Sequence, residues 1–369
     1  MEEREVVVVG GGPAGSSTAA LLARQGHDVL LLDKAHFPRP KPCSEYASPA
    51  LIEALDRLGV RPAYERAGPV RLLGTDIYSP RGRRVRIEYF DGEERRHALT
   101  MSRTDLDPLL LNHARACGAE VREGVRLRGL LRDAEGVGGV TAGPPGSEAR
   151  PVRARLVIGA DGLHSAVTRE LGVRSDPVWP KRLGLVGHFE GVEGLSREYG
   201  EMHVRPWGYC GFAALPRGRA SVGMALDMRR YRGSVRSREG MFYEALEMFP
   251  SVLRRVRAAQ AVGPVSGVGP IARRVRQVHG DGWALAGDAA GFTDPFTGEG
   301  IYRAVRSGEL LAGVASAALR NGGTTRAALA PYARARTEAF RHKALVVHLV
   351  QAFVSYPALL EYVAGHGLE

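Results

Sequence analysis

Lysine is nearly missing from this 369-residue chain. It occurs only at positions 34, 41, 181 and 343, so arginine carries almost all of the formal net charge of +11. The arginines are scattered rather than gathered into a stripe, and no nucleic-acid-binding module is recognisable, so nucleic acid is excluded as an expected partner. A basic balance of this kind suits an anionic small molecule or an acidic surface better. Cysteine is equally sparse. Cys43, Cys117 and Cys210 are odd in number, far apart and without CxxC spacing, which predicts reduced thiols and argues against a zinc or other metal site. No uninterrupted apolar run reaches the ~18 residues of a membrane-spanning helix. The N-terminus is acidic and enters an apolar run at once, so no signal peptide is expected and the location expected is cytoplasmic. Internal repeats and low-complexity linkers are absent as well. What remains, 44% hydrophobic and 25% charged residues, is an ordinary globular composition with length for two domains or one large domain with an insertion.

The chain begins with Glu5-Val6-Val7-Val8-Val9-Gly10-Gly11-Gly12-Pro13-Ala14-Gly15. Four consecutive valines predict a short strand buried on both faces, as in a parallel sheet. Gly10, Gly12 and Gly15 fit Gly-x-Gly-x-x-Gly, and a helix is predicted from Ser16 to Gln25. In this pattern Gly10 allows the tight turn, Gly12 a close approach of backbone to a pyrophosphate, and Gly15 close packing of helix on strand. The phosphates would sit at the helix N-terminus, where free N–H groups point outward. A second apolar run, Asp28 to Leu32, ends in Asp33, placed to accept hydrogen bonds from a ribose. Strand, glycine loop, helix, strand and terminal acid together predict a dinucleotide site.

Phe37-Pro38-Arg39-Pro40-Lys41-Pro42-Cys43-Ser44 follows as a stiff, non-helical loop, because proline fixes φ and removes donors. A helix is predicted from Pro49 to Leu58, stopped by Gly59, and a hairpin from Val70 to Phe90 around Ser79-Pro80-Arg81-Gly82. Ser102-Arg103-Thr104-Asp105 opens an amphipathic helix through Ala116, capped by Ser102 or Thr104. Gly118 to Val121 begins a strand, and Gly136 to Gly146 is read as a glycine-rich turn region. Residues 183 to 226 predict several strands, an antiparallel sheet forming one wall of a substrate cavity, with a helix from Arg238 to Met248. From Pro331 the tail is helical in pattern, with Phe340, Leu345, Leu349 and Phe353 expected to be buried and Pro357 as an interruption.

Two more stretches repeat the logic of a strand ending in a glycine turn. Ala154 to Val167 runs from an apolar strand into Gly159-Ala160-Asp161-Gly162 and a helix start. Trp283 to Ile301 does the same through Gly287-Asp288, then a glycine-rich loop and a helix from Ile301 to Leu319.

These three motifs, in this order over residues 5 to 320, resemble the FAD-dependent monooxygenase and geranylgeranyl-reductase superfamily, with its p-hydroxybenzoate-hydroxylase-like fold. The resemblance implies an α/β fold: a Rossmann-like FAD-binding domain, an inserted antiparallel-sheet substrate domain and a C-terminal helical tail. The boundaries expected are 1–70, 98–175 and 265–330 for the FAD-binding part, 71–97 and 176–264 for the substrate domain, and 331–369 for the tail. It assigns Gly10, Gly12, Pro13, Ala14, Gly15, Asp33 and Lys34 to the ADP half of FAD, and Arg103 to a phosphate or the flavin side. Asp161 and Gly162 match the family's DG motif, implicated in FAD and NAD(P)H binding. Gly287 and Asp288 match the GD motif that binds the ribityl hydroxyls. Pro295, Gly298, Gly300 and Ile301 match the loop along the isoalloxazine, where a helix dipole favours the anionic reduced flavin. NAD(P)H is the electron donor the resemblance implies.

Within the superfamily, Lys41-Pro42-Cys43 resembles the Lys-x-Cys-Gly loop of geranylgeranyl reductases, with Ser44 in place of glycine. Pro295 to Ile301 also leans to that branch, whereas Cys210-Gly211 departs from the reductases' Tyr-Gly-Trp. The Trp-x-Trp-x-Ile-Pro stretch of flavin halogenases is absent, since tryptophan occurs only at 179, 207 and 283. Cys43 is the candidate gate or proton donor, and Tyr209, Tyr46 and His188 are candidates to orient a substrate. Glu299 reads as a first-turn acid and His164 as solvent-facing. The first expectation is a monooxygenase hydroxylating an aromatic or polyketide-like hydrophobic substrate. The second is a reductase of prenyl C=C bonds in a lipid or quinone, to which the apolar tail adds a peripheral membrane contact. The third is a flavin-binding module without turnover.

Overall fold

The computed structural model describes residues 1–175, 181–231 and 237–366. Its first sheet is built on the N-terminal strand Glu2–Val9, which pairs in parallel with Val29–Asp33 on one side and with Arg150–Gly159 on the other. Glu120–Glu123 extends the sheet in parallel beyond Val29–Asp33. The strand Arg150–Gly159 forks. Its first half pairs antiparallel with Gly136–Gly143 and its last residues pair in parallel with Trp283–Leu285. Helices Pro13–Arg24, Arg103–Ala116 and Gly300–Arg320 cover one face through Leu22, Leu111 and Leu311. The antiparallel flap of Arg126–Asp133 and Gly136–Gly143 covers the other, with Leu127, Val137 and Val140 against Val7, Val9, Leu30 and Leu32. Burial from both sides is why the valine run has no polar member; Val6, Val7 and Val8 are all 0% exposed.

Two expectations need correction here. The first helix starts at Pro13, not Ser16, because proline at the first helical position needs no N–H partner and its fixed φ suits the helix. The region 136–146 is a strand as far as Gly143 rather than a turn. Its glycines admit a neighbouring backbone: a Cβ on Gly139, at φ +146°, would lie 2.2 Å from the Val152 carbonyl oxygen. The other predicted elements lie within a few residues of place. Gly59 ends the helix Leu51–Leu58 at φ +84°, and the Ser102 hydroxyl accepts from Thr104 N–H at 3.1 Å to cap Arg103–Ala116.

The second sheet runs in the order Gln260–Ala261, Arg182–Glu190, Arg219–Asp227, Gly208–Ala214, Tyr199–Arg205, Gly74–Tyr78, Arg84–Glu88. Gly74–Tyr78 and Arg84–Glu88 form the hairpin expected around Ser79–Gly82. Ser266–Val268 also pairs with Arg182–Glu190, so this sheet reaches past the boundary expected at 264. One face is a conventional core, in which Leu185, Phe189, Phe212 and Val222 pack on Phe242, Phe249 and Val252 of helices Arg238–Leu246 and Pro250–Arg257. Cys210 is buried there. The opposite face carries Gly184, Gly211 and Gly223, which line the cavity and where a Cβ would stand 3.2, 3.5 and 3.1 Å from Ile271, Met202 and Ser44.

The tail forms helices Arg326–Ser355 and Pro357–His366, so helix begins before Pro331 and breaks at Pro357. Phe340 is buried, while the side chains of Leu345, Leu349 and Phe353 lie outside the described residues. Val354 and Leu360 join Tyr209, Ala225 and Ile271 in one apolar cluster, which folds the tail over the cavity side of the second sheet. Among the described residues no helix is long and apolar enough to cross a membrane.

Candidate cofactor and active site

A cavity of about 980 Å³ runs from the glycine loop to the open face of the second sheet. At its first end the glycines have separate reasons to be glycine. A Cβ on Gly10, at φ +108°, would meet the Ala160 carbonyl oxygen at 2.5 Å, and one on Gly15 would meet the Gly10 carbonyl oxygen at 1.8 Å. Gly10 therefore admits the backbone at the end of the Arg150–Gly159 strand, and Gly15 the close packing of helix on strand. A Cβ on Gly12 meets nothing nearer than the guanidinium groups of Arg39, at 3.6 Å, and Arg103, at 4.0 Å. Gly12 thus faces two cations across open space at the start of the Pro13–Arg24 helix, which is the arrangement an anionic diphosphate requires.

The cations are held by an acid that sequence reading did not single out. Asp107, fully buried, accepts from Arg103 Nε at 2.7 Å and Nη2 at 2.8 Å, and lies 3.3 Å from Arg39 Nη1. The i,i+4 spacing of Arg103 and Asp107 on one helix was visible; Arg39 comes from the proline loop and was not. Asp33 accepts from Gly11 N–H at 2.7 Å and from Ala35 N–H at 2.8 Å, so its carboxylate braces the glycine loop as well as lining the cavity. Pro13, Ala14 and Lys34 line the same end.

Further along, Asp161 Oδ2 accepts from Ala166 N–H at 2.6 Å and caps the short helix Ala166–Glu170, while its Oδ1 is buried with no partner. Burial pushes the Asp161 carboxyl up, against the pull of hydrogen bonds from Ser165 and Ala166. Gly162, Gly287 and Asp288 line the cavity beside it, and Lys41 Nζ is 3.8 Å from Asp288 Oδ2. His164 is exposed at the cavity edge. Its imidazole is held below its usual range by partial burial and by Arg273, Arg174, Lys34 and Lys41.

At the far end stand Pro295, Gly298, Gly300 and Ile301, below the start of the Gly300–Arg320 helix. Glu299 is buried and accepts from Lys343 Nζ at 2.8 Å, joining this loop to the tail. Cys43 lines the cavity beside the Arg103 guanidinium. Burial pushes its thiol up; the nearby Arg103 guanidinium opposes this and Glu45 adds to it. Tyr209 also lines the cavity, but its hydroxyl donates to Asp294 Oδ1 at 2.5 Å, and Arg182 holds the other oxygen of Asp294. Burial and Asp294 keep that phenol protonated, so Tyr209 presents its ring rather than its hydroxyl. Tyr46 shares its hydroxyl with Thr75 and Tyr89 at 2.9 and 2.6 Å. His188 reaches Glu45 at 2.8 Å. Val186, Met202, Ile271 and Phe292 complete an apolar wall.

A cation cradle with room for phosphates, an orphaned carboxylate oxygen awaiting a hydroxyl, and an apolar chamber beyond fit one long dinucleotide working at its distant end. The fold and site define a flavin-dependent oxidoreductase. Residues 3–344 match the model of the FAD binding domain family, and the chain belongs to that family, within the FAD-dependent monooxygenase and geranylgeranyl-reductase superfamily. It is similar to a digeranylgeranylglycerophospholipid reductase of Methanosarcina acetivorans, 31% identical over 86% of this chain and 76% of that protein. Among solved structures, a myxobacterial chondrochloren halogenase has a TM-score of 0.86 at 23% identity, covering 94% of this chain and 82% of the other. A geranylgeranyl bacteriochlorophyll reductase-like protein of Thermoplasma acidophilum has a TM-score of 0.83 at 24% identity, covering 96% and 88%. The two structural likenesses speak for the fold.

Proposed function

We propose that the chain saturates carbon–carbon double bonds of an isoprenoid chain carried by a lipid or quinone, with NAD(P)H supplying the electrons. The observation that carries this reading is Cys43, a thiol kept protonated in the wall of an apolar chamber and placed beside the guanidinium of Arg103. Saturation adds a hydride equivalent to one carbon and a proton to its neighbour, so it needs a proton donor inside a dry site. FAD, when bound, supplies the hydride chemistry. Cys43 Sγ holds the proton, Arg103 stabilises the thiolate left behind, and solvent protons restore the thiol. Val186, Met202, Ile271 and Phe292 align the chain and exclude water. Gly12, Arg39 and Arg103 would hold the diphosphate, and Asp161 and Asp288 the hydroxyls of the linker.

Support comes also from the reductase-named relative, whose identity extends over most of both chains. Hydroxylation, the first expectation from sequence, shares only the coarser description of an FAD-dependent oxidoreductase. The test is anaerobic incubation of FAD-loaded protein with NADPH or dithionite and a geranylgeranylated glycerophospholipid. Product gaining two hydrogens per double bond supports the proposal. An intact prenyl chain, with an oxygenated phenol formed from an aromatic panel in air, restores the hydroxylase reading.

A further inference from the structure

Glu45 is the feature that neither the cofactor cradle nor the apolar chamber explains. It is one of two non-glycine residues with positive φ among the described residues, at +62°, and it is 3% exposed. A buried residue held in the left-handed region persists only where its surroundings over-determine it, and such strain gathers at functional sites. Every polar group of Glu45 is engaged. Its N–H donates to Cys43 Sγ at 3.3 Å and its carbonyl accepts from Met101 N–H at 3.3 Å. Oε1 accepts from the Arg103 backbone N–H at 2.8 Å, and Oε2 accepts from His188 Nε2 at 2.8 Å. The side chain therefore joins the first turn of the Arg103–Ala116 helix, which carries Arg103, to the Arg182–Glu190 strand of the second sheet.

We infer that Glu45 and His188 are positioning residues, a clamp that fixes the left-handed turn after Ser44 and so aims the Cys43 thiol into the chamber. The inference rests on the proposed role of Cys43 as proton donor. Neither residue lies in the path of the proton. The Glu45 carboxylate sets the electrostatics of the thiol, and His188 anchors the carboxylate to the sheet that forms the chamber wall. Without the clamp, the loop Lys41–Glu45 loses its hydrogen-bonded tie to the Arg182–Glu190 strand, and the Glu45 N–H that orients the thiol is no longer held in place.

The test reads Cys43 directly, by iodoacetamide labelling of FAD-loaded protein and mass spectrometry of the Cys43 peptide across pH. Glu45→Gln keeps the size of the side chain and removes the charge that helps push the Cys43 thiol up, so the labelling midpoint falls. His188→Leu breaks the anchor from the opposite side and changes the labelling rate at fixed pH several-fold, whereas His188→Gln, which retains a donor, restores most of it. Glu45→Gly removes the clamp while easing the positive φ, which keeps a folded variant available. A midpoint unmoved in Glu45→Gln, or His188→Leu labelling at the native rate, overturns the inference. Labelling needs no substrate, so it separates failure of the clamp from failure of the reductase reading. Where turnover is measurable, both clamp-breaking variants lose kcat about 10-fold or more with KM little changed.

Discussion

At Gly12, cofactor binding and stability of the fold come apart. Its φ of −75° is open to any residue, and the space beyond its Cα ends at Arg39 and Arg103, 3.6 and 4.0 Å from where a Cβ would stand. Valine therefore fits the empty protein, and its methyl groups occupy the gap between glycine backbone and guanidinium groups. An anion denied that gap loses its charge-assisted hydrogen bonds, worth roughly 1.5–3 kcal/mol each. Two such bonds predict a loss of FAD affinity near 1,000-fold, or about 4 kcal/mol. Thermal unfolding of the apoprotein should shift by about 1 kcal/mol or less. Gly15→Ala is the counterpart, because its Cβ would stand 1.8 Å from a backbone oxygen and damage the fold itself. Flavin-fluorescence titration paired with apoprotein melting distinguishes the two. Gly12→Val binding FAD with native affinity, or Gly15→Ala melting as the native protein does, would refute the reasoning.

Asp107→Ala leaves the buried Arg103 guanidinium without its bidentate partner and should cost about 3–5 kcal/mol, read by urea unfolding. Asp161→Asn keeps one oxygen to accept from Ala166 N–H, puts a donor NH2 where the orphaned Oδ1 stood, and removes a charge that burial disfavours. Because its native pKa is raised, this carboxylate destabilises the fold above the unfolded carboxyl range and ceases to do so when protonated. The variant apoprotein should therefore melt higher than native at pH 7, with the difference closing as pH falls toward 4, while FAD binding weakens. Cys43→Ala should keep FAD at native stoichiometry and lose roughly 100-fold or more in turnover; unchanged turnover returns Cys43 to packing.

The Rossmann half was legible because its signals are local. The valine run, the spacing of Gly10, Gly12 and Gly15, and the acid at Asp33 that returns to the Gly11 N–H all fall within one stretch of about 30 residues. The partnerships that shape the site were hidden because they join distant segments. Glu45 meets His188 across 143 positions, Tyr209 meets Asp294 across 85, and Arg39 meets Asp107 from a proline loop. No periodicity encodes such pairs. Glycine misled in one place, where Gly139 reads as a turn residue although it serves close strand packing. The tail was read as helix from its pattern, but its seating of Val354 and Leu360 beside Tyr209 depends on where two sheets come together.

What the chamber does to a prenyl chain decides between reduction and hydroxylation. The most direct measurement is mass spectrometry of a geranylgeranylated glycerophospholipid after anaerobic incubation with FAD-loaded protein and a reductant. The prediction is stepwise gain of two hydrogens per double bond, abolished in Cys43→Ala while FAD remains bound. A fully reduced flavin beside an unchanged lipid, reoxidised only when oxygen is admitted, would contradict it.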